Sequence, residues 1–365
     1  MESVESDVRV PPRTAVAERV EHIPEVDWLK GFAILCVIGI HSKLYDDSLF
    51  HQHVVNRAVP MFLLLFAVTS ELWWQRTAAM STEERLRAWY GRRLRRLYVP
   101  VWGMASLWWM VAIAFRTDRA MGLGIPELLQ TFVGYSPWIG TSWFVTIVLQ
   151  LVLLYPLLRW AFELLGPVIV LPATAALCWF SGMDMVPIIL LGKSLLPRHV
   201  PEPGFYYIWI FVPRVFWNVA AGYFVAHWWS GRPPRVATIV ATLIAATSIY
   251  VVQATHNLPG DAWVGPARRQ TILYLYDVPL TVALLGWFRA LARLPRLTRF
   301  LTWCGLSSWG IYLGHTLVHD LLHSVAHLAL ETGPDGLRIA YALVLLGCGA
   351  GLAALGDRIR RAFSW

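Results

Sequence analysis

The chain has 365 residues, of which 57% are hydrophobic and only 15% are charged, and its mean hydropathy is +0.51. A soluble domain carries about 25% charged residues, so this chain has more apolar surface than one globular core can bury. Its formal net charge of +8 does not indicate nucleic-acid binding, because the arginines form short clusters between long apolar runs. Such clusters are typical of topology signals in membrane proteins.

The first 22 residues are polar, contain Pro11-Pro12 and show no hydrophobic periodicity, which predicts disorder. The first apolar run begins after residue 25 and is too long for a signal peptide. We therefore expect a disordered cytoplasmic tail over 1–22, a single transmembrane domain over 23–358 and a short cytoplasmic tail over 359–365.

Long apolar segments follow the tail through the rest of the chain. A membrane-spanning helix needs about 20 apolar residues, and at that length the sequence predicts ten spans. The predicted segments lie near 26–44, 54–75, 97–116, 142–160, 165–182, 205–229, 236–253, 271–290, 301–323 and 337–356. The predicted fold class is an all-α integral membrane protein of about ten transmembrane helices.

Arginine is distributed unevenly among the segments that connect these helices. Loops 76–96 and 289–299, the turn 230–235 and the C-terminal residues carry most of it, and with ten helices they fall on the same side as the N-terminus. The positive-inside rule then predicts that both termini are cytoplasmic, whereas nine or eleven helices would break the agreement. We find no internal repeat, which counts against transporters built from inverted repeats.

The first predicted helix contains two basic side chains, Lys30 and His41, in an apolar stretch. Ionisable residues within a span are costly and are candidates for function. Eleven residues are close to three helical turns, so both lie on one face, roughly 16 Å apart along the axis. Asp27 lies one turn before Lys30 and can pair with it. In a plainer interpretation, Lys30 extends to the interface and His41 marks the outer end of the helix.

The order Asp27, Lys30-Gly31 and His41 resembles the opening of the membrane-bound acyltransferase 3 family. That family includes bacterial O-acetyltransferases of surface polysaccharides and macrolide O-acyltransferases. Its opening reads like Leu-Asp-x-x-Arg-Gly, with ten residues between the basic residue and a histidine. Lys30 stands in place of the commoner arginine, a variation that the motif permits.

Four further stretches resemble the family's motifs in the same order along the chain. They are Val59–Leu65 with Thr69-Ser70, Arg92–Pro100, Ser142–Phe144 with Tyr155-Pro156, and Ser307–His315. The second helix departs from the pattern, because it reads Ser70-Glu71-Leu72 where Ser-Gly-Phe is usual. The resemblance extends over roughly residues 26–356.

The resemblance implies an enzyme that moves an acyl group, acetyl by default, from cytoplasmic acyl-CoA to a hydroxyl. The acceptor would be a cell-envelope glycan or a glycosylated or macrolide-type small molecule, and the location a bacterial cytoplasmic membrane. The resemblance places His41, Lys30 and Asp27 at the catalytic centre, with His41 as general base or transient acyl carrier. The residues implied to bind substrate or CoA are Arg92, Arg93, Arg95, Arg96, Trp143, Ser70, Tyr312 and His315.

Arginine suits the CoA phosphates because it binds phosphate through two parallel hydrogen bonds. The arginines over 92–96 are equally well explained as a topology anchor, and His315 as a buried structural histidine. Asp277 is a further intramembrane carboxylate, expected to pair with a basic residue such as Arg214.

Four histidines follow one another at four-residue spacing, namely His315, His319, His323 and His327. Helical i, i+4 histidines can bind zinc. The last three are expected where the helix leaves the membrane, however, so we interpret them as a solvated face. The four cysteines lie in apolar stretches without metal-binding spacing. We predict no metal site, and a thioester donor requires none.

Two other functions are compatible with the composition. A secondary transporter or flippase would also have many helices, intramembrane charges and proline-interrupted spans, but it would not explain the Lys30 and His41 spacing. A non-enzymatic membrane scaffold would leave both side chains without a role. Acyl-CoA consumption that disappears in a His41→Ala variant would separate the enzyme from both alternatives.

Overall fold

The computed structural model describes residues 22–114, 143–183, 215–256, 266–324, 331 and 333–362, and every regular element within them is helical. The α-helices are α1 (Pro24–Ser42), α2 (Leu49–His53), α3 (Ala58–Arg76), α4 (Thr82–Ala114), α5 (Trp143–Leu165), α6 (Pro167–Met183), α7 (Phe216–Trp228), α8 (Arg235–His256), α9 (Pro266–Trp287), α10 (Pro295–Leu306), α11 (Ser308–Ser324) and α12 (Asp335–Ala362). Short 3-10 helices cover Val55–Arg57 and Phe288–Arg293. The described part of the chain is all-α, as predicted.

Five helical segments in the described ranges are long and apolar enough to cross a membrane. They are Leu49–Arg76, Phe144–Leu165, Arg235–Ala254, Leu275–Arg293 and Asp335–Gly356, and Pro167–Cys178 is a shorter apolar helix. Other helices carry more charge or are shorter: α1 contains Glu25, Asp27 and Lys30, and α11 has 17 residues. Each of the ten predicted segments overlaps a helix, but ten spans and the orientation of the termini stay predictions.

Several helices expose apolar side chains that no other part of the described protein covers. On α8, for example, Val236, Ile239, Leu243 and Tyr250 are exposed. An apolar surface of this kind is unfavourable in water. Lipid tails are as apolar as a leucine side chain, so contact with lipid carries no such cost. The described helices therefore belong to a multi-pass membrane protein.

Proline, glycine and a capping box fix the ends of the helices. Pro167 and Pro295 occupy the first position of α6 and α10, where a backbone N–H is not needed. Gly166 has a φ of 73°, which lets the chain turn between α5 and α6 without strain. Before α4, the backbone N–H of Ser81 donates to the Glu84 carboxylate at 2.9 Å. This bond, together with one from the Ser81 hydroxyl, lowers the pKa of Glu84.

Helix α1 lies at the centre of the bundle and packs against α3, α9, α10, α11 and α12. It approaches α10 closely because glycine stands at both sides of the crossing. A Cβ atom on Gly31 would collide with the backbone carbonyl of Leu301, and one on Gly305 with the carbonyl of Asp27. This packing fixes the rotation of α1 and therefore the direction of Lys30, which precedes Gly31.

The predicted helix over 301–323 is two helices in the structure, so this prediction was wrong. α10 ends at Leu306 and α11 begins at Ser308, and Ser307 between them has the non-helical angles φ −92° and ψ 1°. Glycine and serine are poorer helix formers than alanine or leucine, and Gly305 and Ser307-Ser308 supply three of them together. As a result α11 takes its own direction and packs against α1, α4 and α12.

Candidate functional site

Asp27 and Lys30 lie together near the N-terminal end of α1. The Nζ atom of Lys30 donates to Oδ1 of Asp27 at 3.4 Å, and Nε2–H of His22 donates to Oδ2 at 2.7 Å. Asp27 is buried and Lys30 half-buried. The carboxylate thus has two basic partners, and it balances the positive charge that Lys30 brings into the bundle.

Arg93 on α4 turns its guanidinium inward. Its Nη2 donates to the hydroxyl of the fully buried Ser70 at 3.2 Å. The guanidinium carbon also lies 4.6 Å from the ring centroid of Trp89 and 5.2 Å from that of Phe66, both within cation–π distance. Two residues implied to bind CoA, Arg93 and Ser70, are therefore in direct contact.

The four arginines over residues 92–96 of α4 differ in what they reach. The charges of Arg93 and Arg96 act electrostatically on Lys30, so these three basic groups are neighbours. Arg92, Arg95 and Arg96 are exposed, and the Nε of Arg95 donates to a backbone carbonyl of its own helix at 3.1 Å. The structure thus brings Arg93 and Arg96 to the Lys30 end of α1, whereas the charge of Arg92 acts on Arg93.

His41 lies near the C-terminal end of α1 and contacts α11. Its ring centroid is 5.1 Å from that of His315 and 5.2 Å from that of His319. His315 is fully buried, and its Nδ1–H donates to the carbonyl of Ile311 at 3.2 Å. A neutral imidazole with its proton on Nδ1 keeps a lone pair on Nε2, and that Nε2 has no hydrogen-bond partner among the described residues. The cluster therefore holds a buried proton acceptor beside His41.

Tyr312 belongs to an aromatic cluster next to these histidines. Its ring centroid lies 5.3 Å from that of Phe144, 5.8 Å from that of Trp309 and 5.4 Å from that of His315. Trp143 is the first residue of α5 and adjoins Phe144, but its side chain lies outside the described residues. The structure thus groups Tyr312 and His315 with His41, and it gives no position for the indole of Trp143.

His319 corrects the interpretation that it belongs to a solvated helix face. Its ring is only partly exposed and faces His41, and its Nδ1 shares a hydrogen bond with the hydroxyl of the buried Tyr341 on α12. The exposure of His319 is reduced because α12 packs along α11 and covers this face of the helix. The sequence signal for His319 was its spacing of one helical turn from His315.

No group of three or more His, Cys, Asp or Glu side chains is arranged to hold a metal ion within the ranges that the structure describes. His327, the last of the evenly spaced histidines, lies outside those ranges.

A second buried polar cluster surrounds Glu71, the residue that departs from the usual motif of the second helix. Its Oε2 accepts hydrogen bonds from Nε of Arg159 at 3.1 Å and from the hydroxyl of Tyr155 at 3.3 Å. Its Oε1 accepts from Nδ1–H of His227 at 3.4 Å. These bonds join α3, α5 and α7. Sequence reasoning missed Arg159, although an arginine within the apolar α5 was the available signal.

Asp277 is fully buried on α9 and pairs with Arg57, whose Nη1 lies 3.8 Å from Oδ1. The partner suggested from the sequence, Arg214, lies outside the described residues. Neither carboxylate oxygen of Asp277 has a hydrogen bond within the described ranges. The pair therefore holds the 3-10 turn before α3 against α9 by charge rather than by hydrogen bonding.

One helix, α1, thus connects a cationic cluster at one end with an imidazole cluster at the other. Lys30, Arg93 and Arg96 suit a polyanionic ligand, and the histidines around His41 suit the removal of a proton from a hydroxyl. The fold and the site define a multi-pass helical membrane protein with a polar centre inside its bundle.

The chain belongs to the acyltransferase 3 family. The family model, described as an acyltransferase domain, matches residues 23–354, which is nearly the whole chain. Among curated proteins and among solved structures, none matches the chain. Membership confirms the resemblance seen in the sequence motifs and makes the protein a membrane acyltransferase.

Proposed function

We propose that this protein transfers an acyl group, acetyl by default, from cytoplasmic acyl-CoA to a hydroxyl of a glycan-like or macrolide-like acceptor. The observation that carries the proposal is the pairing of two clusters on one helix. Lys30 lies with Arg93 and Arg96, and His41 lies with His315 and His319. A donor that is anionic at one end and reactive at the other fits such an arrangement.

The proposed binding of CoA at the Lys30 end is argued from the positive charge of that cluster. CoA carries several phosphate charges, and a guanidinium pairs with phosphate through two hydrogen bonds. Arg93 is held in place by Ser70 and Trp89, so its position is organised before a ligand arrives. Asp27 neutralises part of the charge of Lys30 but leaves a net positive cluster. Within residues 92–96, we assign CoA binding to Arg93 and Arg96. We interpret Arg92 and Arg95 as charges that set the orientation of the helix in the membrane.

The proposed chemistry at the other end of the site is carried out by the imidazoles. As general base, His41 takes the proton of the acceptor hydroxyl while the oxygen attacks the thioester carbon, and CoA leaves as a thiolate. As nucleophile, His41 first takes the acyl group and then gives it to the hydroxyl. Both routes form one O–C bond, break one C–S bond and yield the same ester and CoA. The free Nε2 of His315 is available to accept a hydrogen bond from the hydroxyl or from protonated His41.

The proposed acceptor is supported by the aromatic cluster that adjoins His315. Ligand sites are lined mainly by apolar and aromatic side chains, with a few polar groups that fix orientation. Tyr312 contacts the imidazole of His315, and Trp309 and Phe144 pack against Tyr312. Such rings suit the faces of sugar rings or a macrolide surface, so we propose a cell-envelope glycan or a glycosylated or macrolide-type molecule as acceptor.

The proposed direction of the reaction follows from the arginine distribution. We propose ten spans with both termini in the cytoplasm of a bacterial cell, because the arginine-rich segments then share the cytoplasmic side. The Lys30 end of α1 would face cytoplasmic CoA, and the His41 end would lie toward the outer face.

The test is acyl transfer by the detergent-purified protein, supplied with acetyl-CoA labelled in its acetyl group and with a panel of hydroxyl acceptors. We expect release of the CoA thiol and a labelled ester with the wild type, and a loss of about 10²- to 10⁴-fold in His41→Asn, the range for general acid–base groups. Substrate flux through proteoliposomes that is independent of acyl-CoA, without any labelled ester, would overturn the proposal in favour of transport.

A further inference from the structure

His319 is half-buried on α11 and is placed between the proposed catalytic imidazole and the end of the bundle. On one side its ring lies 5.2 Å from that of His41. On the other side it stacks on His323 at 6.2 Å with an interplanar angle of 9°. The spacing of one helical turn puts His319 and His323 on the same face of α11.

Tyr341 fixes His319 from the neighbouring helix. Its hydroxyl shares a hydrogen bond with Nδ1 of His319, and its ring is 6.1 Å away. A phenol both donates and accepts, so this one group can bond to either protonation state of the imidazole at Nδ1. Tyr341 is buried, which shields that bond from water.

His323 continues the series toward the surface. Its side chain is 52% exposed, and its Nδ1 lies 3.9 Å from Oε1 of Glu331. The ionisable groups around His319 are thus His41 from α1, His315, Asp320 and His323 from α11, Tyr341 from α12, and Glu331 beyond α11. They extend from the partly buried His41 to a histidine that meets solvent or headgroups.

We propose that His319, held by Tyr341, receives the proton that His41 removes from the acceptor hydroxyl and passes it toward His323 and the outer face. The inference rests on the proposed function. The hydroxyl O–H bond breaks, its oxygen bonds to the acyl carbon, and the C–S bond to CoA breaks. The proton goes from His41 to His319 and leaves through His323, while the CoA thiolate takes a proton from a water molecule, which is left as hydroxide, and CoA departs toward the Lys30 end.

The proposal goes beyond the family motif, whose late segment ends at His315. Direct return of the proton from His41 to the departing thiolate would need no second imidazole. His319 would then be a packing residue, and its replacement by a similarly sized polar side chain would affect the fold more than the rate. The two cases are distinguished by kinetics.

The experiment compares wild type, His319→Asn and Tyr341→Phe in the acetyl-transfer assay, with His51→Asn as control. His51 is also a buried histidine, but it bonds to the carbonyl of Leu44. We expect His319→Asn to lower kcat at least tenfold with little change in KM for acetyl-CoA, and to change the solvent deuterium isotope effect. Tyr341→Phe should lower kcat by a smaller factor, and His51→Asn should retain the wild-type kcat.

A His319→Gly variant adds a readout that a structural role would not affect. Free imidazole should restore part of its kcat, as expected when the missing group carries a proton. Wild-type kcat and isotope effect in both His319→Asn and Tyr341→Phe would overturn the proposal. If His319→Asn does not fold, Tyr341→Phe and the imidazole rescue decide. Acetyl transfer by the wild type is measured first, so failure of the proposed function is recognised separately.

Discussion

Gly31 of α1 lies directly against the backbone carbonyl of Leu301 in α10, with no room for a Cβ atom. This contact sets the rotation of the helix that carries both Lys30 and His41. Gly39 lies roughly two helical turns further along α1. It is different, because a Cβ atom there would meet only Cγ1 of Val55 at 3.4 Å. The two glycines therefore form a matched pair for testing whether the crossing of α1 and α10 matters.

We expect Gly31→Ala to destabilise the protein by about 1–3 kcal/mol, because overpacking forces helices apart. The change should also weaken binding of acetyl-CoA, since Lys30 moves with its neighbour. Gly39→Ala should change stability by less than about 1 kcal/mol, since alanine is also the better helix former. Thermal unfolding in detergent measures both, and equal melting temperatures for the two variants would contradict this packing.

The arginines of α4 yield a second paired prediction. Arg93→Met with Arg96→Met should weaken acetyl-CoA binding at least about tenfold, because each charge-assisted hydrogen bond contributes about 1.5–3 kcal/mol. Arg92→Met with Arg95→Met removes the same charge from the two arginines that do not act directly on Lys30, and should weaken binding by less than about threefold. Equilibrium binding at fixed ionic strength measures both dissociation constants. An equal loss in the two double variants would mean that the basic segment acts only through its total charge.

Glu71 leads to a prediction about stability. It is fully buried and bonded to Arg159, whereas Glu163 bonds to the same arginine at 2.5 Å but is 48% exposed on its side chain. Replacing one partner of a buried pair costs about 3–5 kcal/mol, and an exposed pair contributes about 0–1 kcal/mol. Glu71→Leu should therefore lower the melting temperature far more than Glu163→Leu. A similar decrease in both would show that burial of Glu71 carries no extra energy.

Much of this architecture was predictable because apolar length and proline and glycine positions are local properties. The predicted segments 26–44, 54–75 and 165–182 overlap α1, α3 and α6 for this reason, although their limits differ from those of the helices by a few residues. The break at Ser307 was missed, since its short polar sequence lies inside an apolar window long enough for one span. In the fold, weak helix propensity at this point coincides with the packing of α10 across α1.

The site was predictable only where spacing along one helix decides the geometry. Lys30 and His41 lie at two ends of α1 as the helical period requires. The division of the arginines depends on how α4 turns toward α1, and the place of His319 depends on coverage by α12. Arg159 and Glu71 are far apart in sequence, so their pairing needed the tertiary fold. The roles of His41, Lys30 and Asp27 in catalysis stay predictions.

The most direct measurement is thermal stabilisation of the purified protein by acetyl-CoA, with free CoA and ATP for comparison, in wild type and Lys30→Ala. A ligand that binds only the native state raises the melting temperature with its excess over the dissociation constant. We expect a rise with acetyl-CoA and with CoA that is reduced in Lys30→Ala, and a smaller rise with ATP. No rise with acetyl-CoA or longer acyl-CoA, in protein shown to be folded, would contradict acyl-CoA as the donor.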